Sequence, residues 1–217
     1  MMKKLLLVCL SATVLLGACV KKKTDVTGET TIRFVNAIPN SLAQDIYING
    51  NLAIRDLSFP NQTTYGTYTS GLNEVTAINT GTSVANLDYD YGTTIGEYST
   101  VFFFQDFSGN LVSGGIKDDM TAPATGKARV RFVNLNNQSQ TSFTADVVGG
   151  ANLLQSLVFA TASPYFDVDP GSKFLIKTLL AKNQVTLDFN PQAGSIYTIW
   201  VSANTTADVE AYTFLQK

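Results

Sequence analysis

Thr31-Ile-Arg-Phe-Val-Asn36, Asp45-Ile-Tyr-Ile-Asn-Gly-Asn-Leu52 and Leu57-Ser-Phe59 return later in the chain, in the same order. The second set reads Val130-Arg-Phe-Val-Asn134, Asp146-Val-Val-Gly-Gly-Ala-Asn-Leu153 and Leu157-Val-Phe159. The offset is 98 from Arg33 to Arg131, 101 from Asp45 to Asp146 and 100 from Leu57 to Leu157. Tyr65 and Tyr165, and Gly71 and Gly171, are also 100 apart. Matches at a nearly constant offset are the mark of an internal duplication, so the chain reads as two copies of one unit.

Within a copy the periodicity is that of strands. Ile32 and Phe34 alternate with Arg33 and Val35. Asn49-Gly50 stands between Ile46-Tyr-Ile48 and Leu52-Ala-Ile54. This is a strong hairpin signal, because a tight type I′ turn needs positive φ at both central residues. Gly149-Gly150 takes that place in the second copy. Further strands are predicted over 73–79, 83–89, 97–106 and 111–117, with counterparts over 173–180, 184–189, 195–203 and 209–215. Leu179-Leu-Ala-Lys182 also has the makings of a helical turn, though its partner segment reads as strand. About seven short strands per copy with regular turns predict an all-β protein of two tandem immunoglobulin-like antiparallel β-sandwich domains. The division is 28–120 and 121–217. Asp118-Asp-Met-Thr-Ala-Pro-Ala-Thr-Gly126 is the linker, since it carries Pro and Gly and no apolar period. Val101-Phe-Phe-Phe104 is apolar on both faces, as a central strand or one facing the other unit would be, and Trp200 lies in the matching strand.

The pattern Arg-Phe-Val-Asn, a Pro39-Asn40 or Asn136-Asn137 turn, then Asp-Ile-Tyr-Ile-Asn-Gly resembles the repeat family catalogued as domain of unknown function forty-three ninety-seven. The similarity runs over nearly all of 31–217. It implies a bacterial envelope lipoprotein and brings no catalytic residue. The second copy departs from the pattern. Asp146 stands three residues before Gly149, whereas Asp45 stands four before Asn49, so a bulge or a longer turn is expected in the second hairpin.

The N-terminus points to the same compartment. Lys3 and Lys4 precede an apolar run, Leu5 to Leu16, that is shorter than the roughly 20 residues needed to span a bilayer. The run ends Leu16-Gly17-Ala18-Cys19, which resembles the lipobox of bacterial lipoproteins. The resemblance implies a signal peptide over 1–18, cleavage before Cys19 and acylation there. Each buried methylene contributes roughly 0.8 kcal/mol to anchoring. Residues 19–27 then form a polar tether. Its Lys21-Lys-Lys23 is either a plain solvated spacer or a contact for anionic head groups. Val20 after the cysteine looks like an outer-membrane sorting signal, and which side of that membrane the protein faces stays open.

Composition narrows the chemistry. The sequence has no histidine, which removes the commonest general base and metal ligand. After Cys19 it has no cysteine either, so the fold relies on its core and has no thiolate nucleophile. From Cys19 onward, 13 basic residues stand against 17 acidic ones, a net charge of −4. In 28–120, three basic residues face ten acids, giving −7; in 121–217, seven face six, giving +1. Neither half is a nucleic-acid surface.

Candidate sites follow. Arg33 with Asp45, and Arg131 with Asp146, read as cross-strand structural pairs. Asp88-Tyr89-Asp90-Tyr91 puts two carboxylates and two rings on a presumed loop or strand end, where they would serve a glycan or a cation. Together with Asp118-Asp119 these carboxylates would suit Ca²⁺, but they guarantee few of the six to eight oxygens it requires, so no metal or cofactor is assigned. The chain therefore reads as a non-catalytic envelope lipoprotein in adhesion, envelope structure or assembly with other proteins. A glycan-binding accessory is the alternative, and a carboxylate-based hydrolase is a distant third. The partners expected are the membrane, through the lipid anchor, and envelope glycans or proteins.

Overall fold

A computed structural model describes residues 27–138, 142–178, 184–205 and 208–217. The signal peptide, Cys19 and the tether up to residue 26 lie outside the described residues, as does the possible helical turn at 179–182. The described chain contains strands and turns and no helix. In order they are β1 (Glu29–Asn36), β2 (Gln44–Ile48), β3 (Asn51–Leu57), β4 (Gly66–Thr69), β5 (Gly71–Asn79), β6 (Ala85–Thr93), β7 (Tyr98–Gln105) and β8 (Leu111–Lys117). The second copy continues with β9 (Ala128–Asn134), β10 (Phe143–Val147), β11 (Asn152–Leu157), β12 (Thr161–Ala162), β13 (Phe166–Val168), β14 (Phe174–Thr178), β15 (Val185–Leu187), β16 (Ile196–Ser202) and β17 (Glu210–Leu215).

Each copy is a sandwich of two sheets. The first pairs β4-β1-β7-β8 with β3-β2-β5-β6. The second repeats this as β12-β9-β16-β17, with β13 also on β9, against β11-β10-β14-β15. β13 is the counterpart of β4, and β12 that of the single bridge between Val35 and Gln62, so this edge is interrupted at the same place in both copies. The sheets are antiparallel apart from one ladder in each copy. β1 runs parallel to β7, and β9 parallel to β16. A parallel pair needs a long crossover, and here the opposite sheet supplies it, since β2, β3, β5 and β6 intervene between β1 and β7.

The alternation of side chains builds three cores. Ile32, Phe34, Val101 and Phe103 point from the first inner sheet toward Ile46, Val75, Ala77 and Tyr91. Val130, Phe132, Ile199 and Val201 do the same in the second copy against Phe143, Ala145, Phe174 and Ile176. The other faces of the two inner sheets close on each other. There Val35, Ala37, Phe102 and Phe104 pack with Val133, Leu135, Trp200 and Phe214. The molecule is thus four sheets deep, and Val101–Phe104 is apolar on both faces because both faces are covered.

The contact between copies is reciprocal. Phe59 of the first copy meets Trp200 and Tyr212 of the second, at 6.1 and 5.4 Å between ring centroids. Its counterpart Phe159 meets Phe104 and Phe107 of the first, at 5.7 and 4.4 Å. The copies also share a direction. At one end, Arg129 pairs with Asp119 and Lys217 Nζ donates to the Met120 carbonyl. At the other, Asn40 Nδ2 donates to Asn204 Oδ1 and Asn137 Nδ2 to the Asp106 carbonyl. Gly28 bonds Ser70 at the first end, so the chain enters there. We call that end proximal and the other distal.

The hairpins explain the uneven offsets. Asn49 and Gly50 form a two-residue turn with φ of 50° and 75°. The second hairpin has three residues, Val148 to Gly150, between Val147 and Ala151, whose N–H···O bond is 2.9 Å. The extra residue moves the offset from 99 in β2/β10 to 100 in β3/β11. Gln44 then corresponds to Phe143, as their shared ladders with Leu57 and Leu157 show. Asp45 corresponds to Thr144, and Asp146 to Tyr47, so the two aspartates are not equivalent.

Candidate functional site

The arginines at equivalent positions, Arg33 and Arg131, do not pair with Asp45 and Asp146, which corrects the expected cross-strand ion pairs. β1 and β2 belong to opposite sheets. Alternation turns Arg33 away from its own core and toward the other copy, while Asp45 faces outward from the other sheet. Asp45 instead accepts from the Asp56 N–H at 3.0 Å and the Thr80 hydroxyl at 2.8 Å. Asp146 pairs with Lys177 at 3.0 Å and with Asn152.

What the arginines form is a buried polar seam between the copies. Arg131 Nη2 pairs with Asp118, Nε donates to Thr198 Oγ1 at 3.0 Å, and Nη1 donates to the Lys117 carbonyl at 2.8 Å. Asp118 also accepts from Tyr65 at 2.6 Å and Thr100 at 2.7 Å. Arg33 Nη1 donates to the Leu215 carbonyl at 2.8 Å, and its guanidinium lies over the rings of Tyr65 and Phe214, 4.1 and 4.8 Å from their centroids. Arg33 Nε is buried without an acceptor. Burial lowers the Arg33 pKa and raises that of Tyr65, whose ionisation Asp118 opposes further. The seam is closed to solvent, so its chemistry is cohesion between the copies.

Asp88, Tyr89, Asp90 and Tyr91 lie on β6, an edge strand laddered to β5 as far as Gly92 and Thr93, and not on a loop. Period-two alternation divides them. Tyr91 is buried in the first core, and Tyr89 stacks on it at 6.0 Å. Asp88 and Asp90 are exposed on the other face, where Asp90 stands opposite Glu74. The structure does not bring these rings and carboxylates onto one surface. Asp118 and Asp119 also diverge, since Asp118 turns into the seam while Asp119 accepts from the Thr121 N–H at 2.9 Å. Among the described residues no group of three or more acidic, cysteine or histidine side chains is placed to hold a metal ion.

Two clefts remain. The proximal one, about 610 Å³, is lined by Glu97, Lys117, Asp118 and Asp119 among others. Glu97 pairs with Lys117 at 2.9 Å. Burial works against its charge, but the hydrogen bonds from Lys117 and Thr94 prevail and hold it below the usual range. The Thr121 bond and nearby Arg129 do the same for Asp119. A general acid needs the opposite shift, so this cleft offers none from those two groups.

The distal cleft, about 390 Å³, is lined by Ile38, Pro39, Asn40, Ser41, Leu42, Gln44, Asn79, Asn86, Gln105 and Leu111. At its base Gln44 is buried and donates from Nε2 to the Leu42 carbonyl at 2.8 Å and to Asn79 Oδ1 at 2.7 Å. Asn86 Nδ2 donates to Gln44 Oε1 at 3.1 Å and Asn79 Oδ1 at 2.7 Å. Sequence reading missed this cluster, because Gln44, Asn79 and Asn86 are distant in the chain. The signal was there in Gln44 standing where the other copy has Phe143.

The family described as "Domain of unknown function (DUF4397)" matches residues 30–141, which is the first copy and β9 of the second. No curated protein matches. Among solved structures, the chain is similar to the crystal structure of CBMbc (family CBM26) from Eubacterium rectale Amy13K in complex with maltoheptaose. The identity is 17%, the alignment covers 85% of this chain and 96% of that one, and the TM-score is 0.25, too low for the likeness to carry an argument.

Proposed function

The chain belongs to the DUF4397 family, and from that premise we propose that it is a non-catalytic, lipid-anchored protein of the cell envelope, placed at the outer membrane, that presents its distal end to other envelope components. The observation that carries this reading is the common direction of the two copies. The chain enters at the proximal end, and the shared core of Val35, Phe102, Trp200 and Phe214 couples the copies. The nine residues from Cys19 to Thr27, eight steps along the chain, reach at most about 29 Å. Strands of about eight residues then hold the distal loops roughly 26 Å farther out. Units 28–120 and 121–217, joined by a linker at about 118–126, are the division that goes with this reading. Adhesion, envelope structure and assembly with other proteins are the roles such a tethered spacer serves. Glycan binding is the second reading, and the neutral distal cleft favours it.

The test is energy transfer from a labelled cysteine to acceptor lipids in vesicles carrying the acylated protein. Leu72→Cys reports the proximal end and Val84→Cys the distal end, both positions being exposed. Transfer should be stronger from position 72. Equal or reversed transfer overturns the orientation.

A further inference from the structure

We infer that the distal cleft of the first copy binds a neutral polyhydroxylated ligand, an uncharged glycan. The inference deepens the second reading above and does not depend on the anchor. It starts from a substitution between copies. In the second copy the position is Phe143, buried in the core; in the first it is Gln44, equally buried. A buried amide is unfavourable unless every bond it needs is made. Gln44 makes both of its donor bonds and accepts from Asn86, so the first copy maintains a three-amide network where an apolar side chain would suffice for the fold.

The network holds its outer groups in place. Asn79 and Asn86 are fixed through Asn79 Oδ1 and Asn86 Nδ2. Among the described residues, nothing engages Asn79 Nδ2 or Asn86 Oδ1. The cleft therefore offers a positioned donor and a positioned acceptor, with Asn40, Ser41 and Gln105 on its walls. No lining residue carries a charge, so an anionic or cationic ligand would lose its hydration without gaining a counter-charge. Leu42, 63% exposed, and the half-buried Leu111 supply apolar surface against which the C–H face of a sugar ring can lie. An extended peptide is a poorer match, because peptide capture by a sheet uses an unpaired backbone edge and this cleft recognises through side-chain amides.

The experiment uses the mature protein in detergent and an array of neutral oligosaccharides of glucose, mannose and N-acetylglucosamine. A polyuronate and an uncharged peptide serve as comparison probes. Binding to at least one neutral oligosaccharide is expected, with amide chemical-shift changes confined to 38–44, 79–86 and 105–111. Asn86→Ala, at an exposed position, should weaken that binding at least tenfold, whereas Leu72→Ala at the proximal end should leave it unchanged. Unaltered Trp200 emission in both variants shows that the fold is intact. Binding by Asn86→Ala at full strength, shifts located elsewhere, preference for the polyuronate or the peptide, or no binding to any neutral sugar would each overturn the proposal. None of these outcomes bears on the orientation measured by energy transfer.

Discussion

Asp118 and Gln216 occupy one and the same position in the two copies. Each follows the last strand of its unit, and each donates its backbone N–H to the residue that opens the strand beside it, Tyr98 at 2.8 Å and Ile196 at 2.7 Å. Asp118 pairs with Arg131, whereas Gln216 Oε1 accepts from the Tyr165 hydroxyl at 3.1 Å and, among the described residues, Arg33 has only the Leu215 carbonyl as an acceptor. Two substitutions read this difference in opposite directions. Asp118→Asn should leave Arg131 buried and unpaired, at a loss of about 3–5 kcal/mol in denaturant melts. Gln216→Glu should supply the missing acceptor near Arg33 and raise stability by about 1–3 kcal/mol at pH 7. Arg33 would hold the new carboxyl below its usual range, so that gain should be present above about pH 4.3 and vanish as the pH falls further. A destabilised Gln216→Glu protein at pH 7 would refute the account.

Trp200 is the sole tryptophan, and it lies between the copies against Phe59, Phe102 and Tyr212. Its emission therefore reports on separation of the units. The shared core predicts that on heating the emission shifts together with loss of the β circular-dichroism signal. A red shift that precedes it would mean the units part first. Expressed alone, 121–217 should keep its β signal through its own core and show red-shifted emission from an uncovered Trp200. Trp200→Ala should cost about 3–5 kcal/mol.

The stability profile against pH should be flat in the middle and steep at both edges. The Asp56 N–H holds Asp45 low, Lys177 holds Asp146 low, and Arg129 holds Asp167 low. Groups depressed in this way contribute stability above about pH 3.9, and it is lost as the pH falls through their folded values. Burial raises Tyr65, Tyr68, Tyr91, Tyr165 and Tyr212. Their contribution is present below about pH 10 and is lost as the pH rises through the raised values. With no histidine, little titrates between these limits. Melting temperatures should form a plateau from about pH 5 to 9, and a step near pH 6–7 would contradict this assignment.

The lipobox reading has its own test. Cys19→Ser should shift the protein out of the membrane fraction or leave it as an uncleaved precursor. Mass spectrometry of the native mature protein should give Cys19 as an acylated first residue, and an unmodified N-terminus downstream would refute the anchor.

The fold was legible where a signal was local. Asn49-Gly50 announced its turn, and the alternation of Ile32, Arg33, Phe34 and Val35 separated the two faces of β1. The site residues were not legible, for physical reasons. Pairing Arg33 with Asp45 required knowing that consecutive strands enter different sheets, which alternation does not encode. Reading Asp88 to Tyr91 as a strand end overlooked that β6 continues to Thr93, so their two faces diverge. Aligning Asp45 with Asp146 failed because one inserted turn residue changed the offset between them. The amide network joins positions 44, 79 and 86 through tertiary structure alone.

The apolar face between the copies also sets a parity. Each copy presents one such face, and what covers it is another of its own kind. Two copies in one chain leave none bare. One copy, or three, would leave a face with Val35, Phe102 and Phe104, or their counterparts, in water, and so would be driven to pair with a neighbouring molecule. An even count of repeats is thus what allows every such face to be covered within one chain.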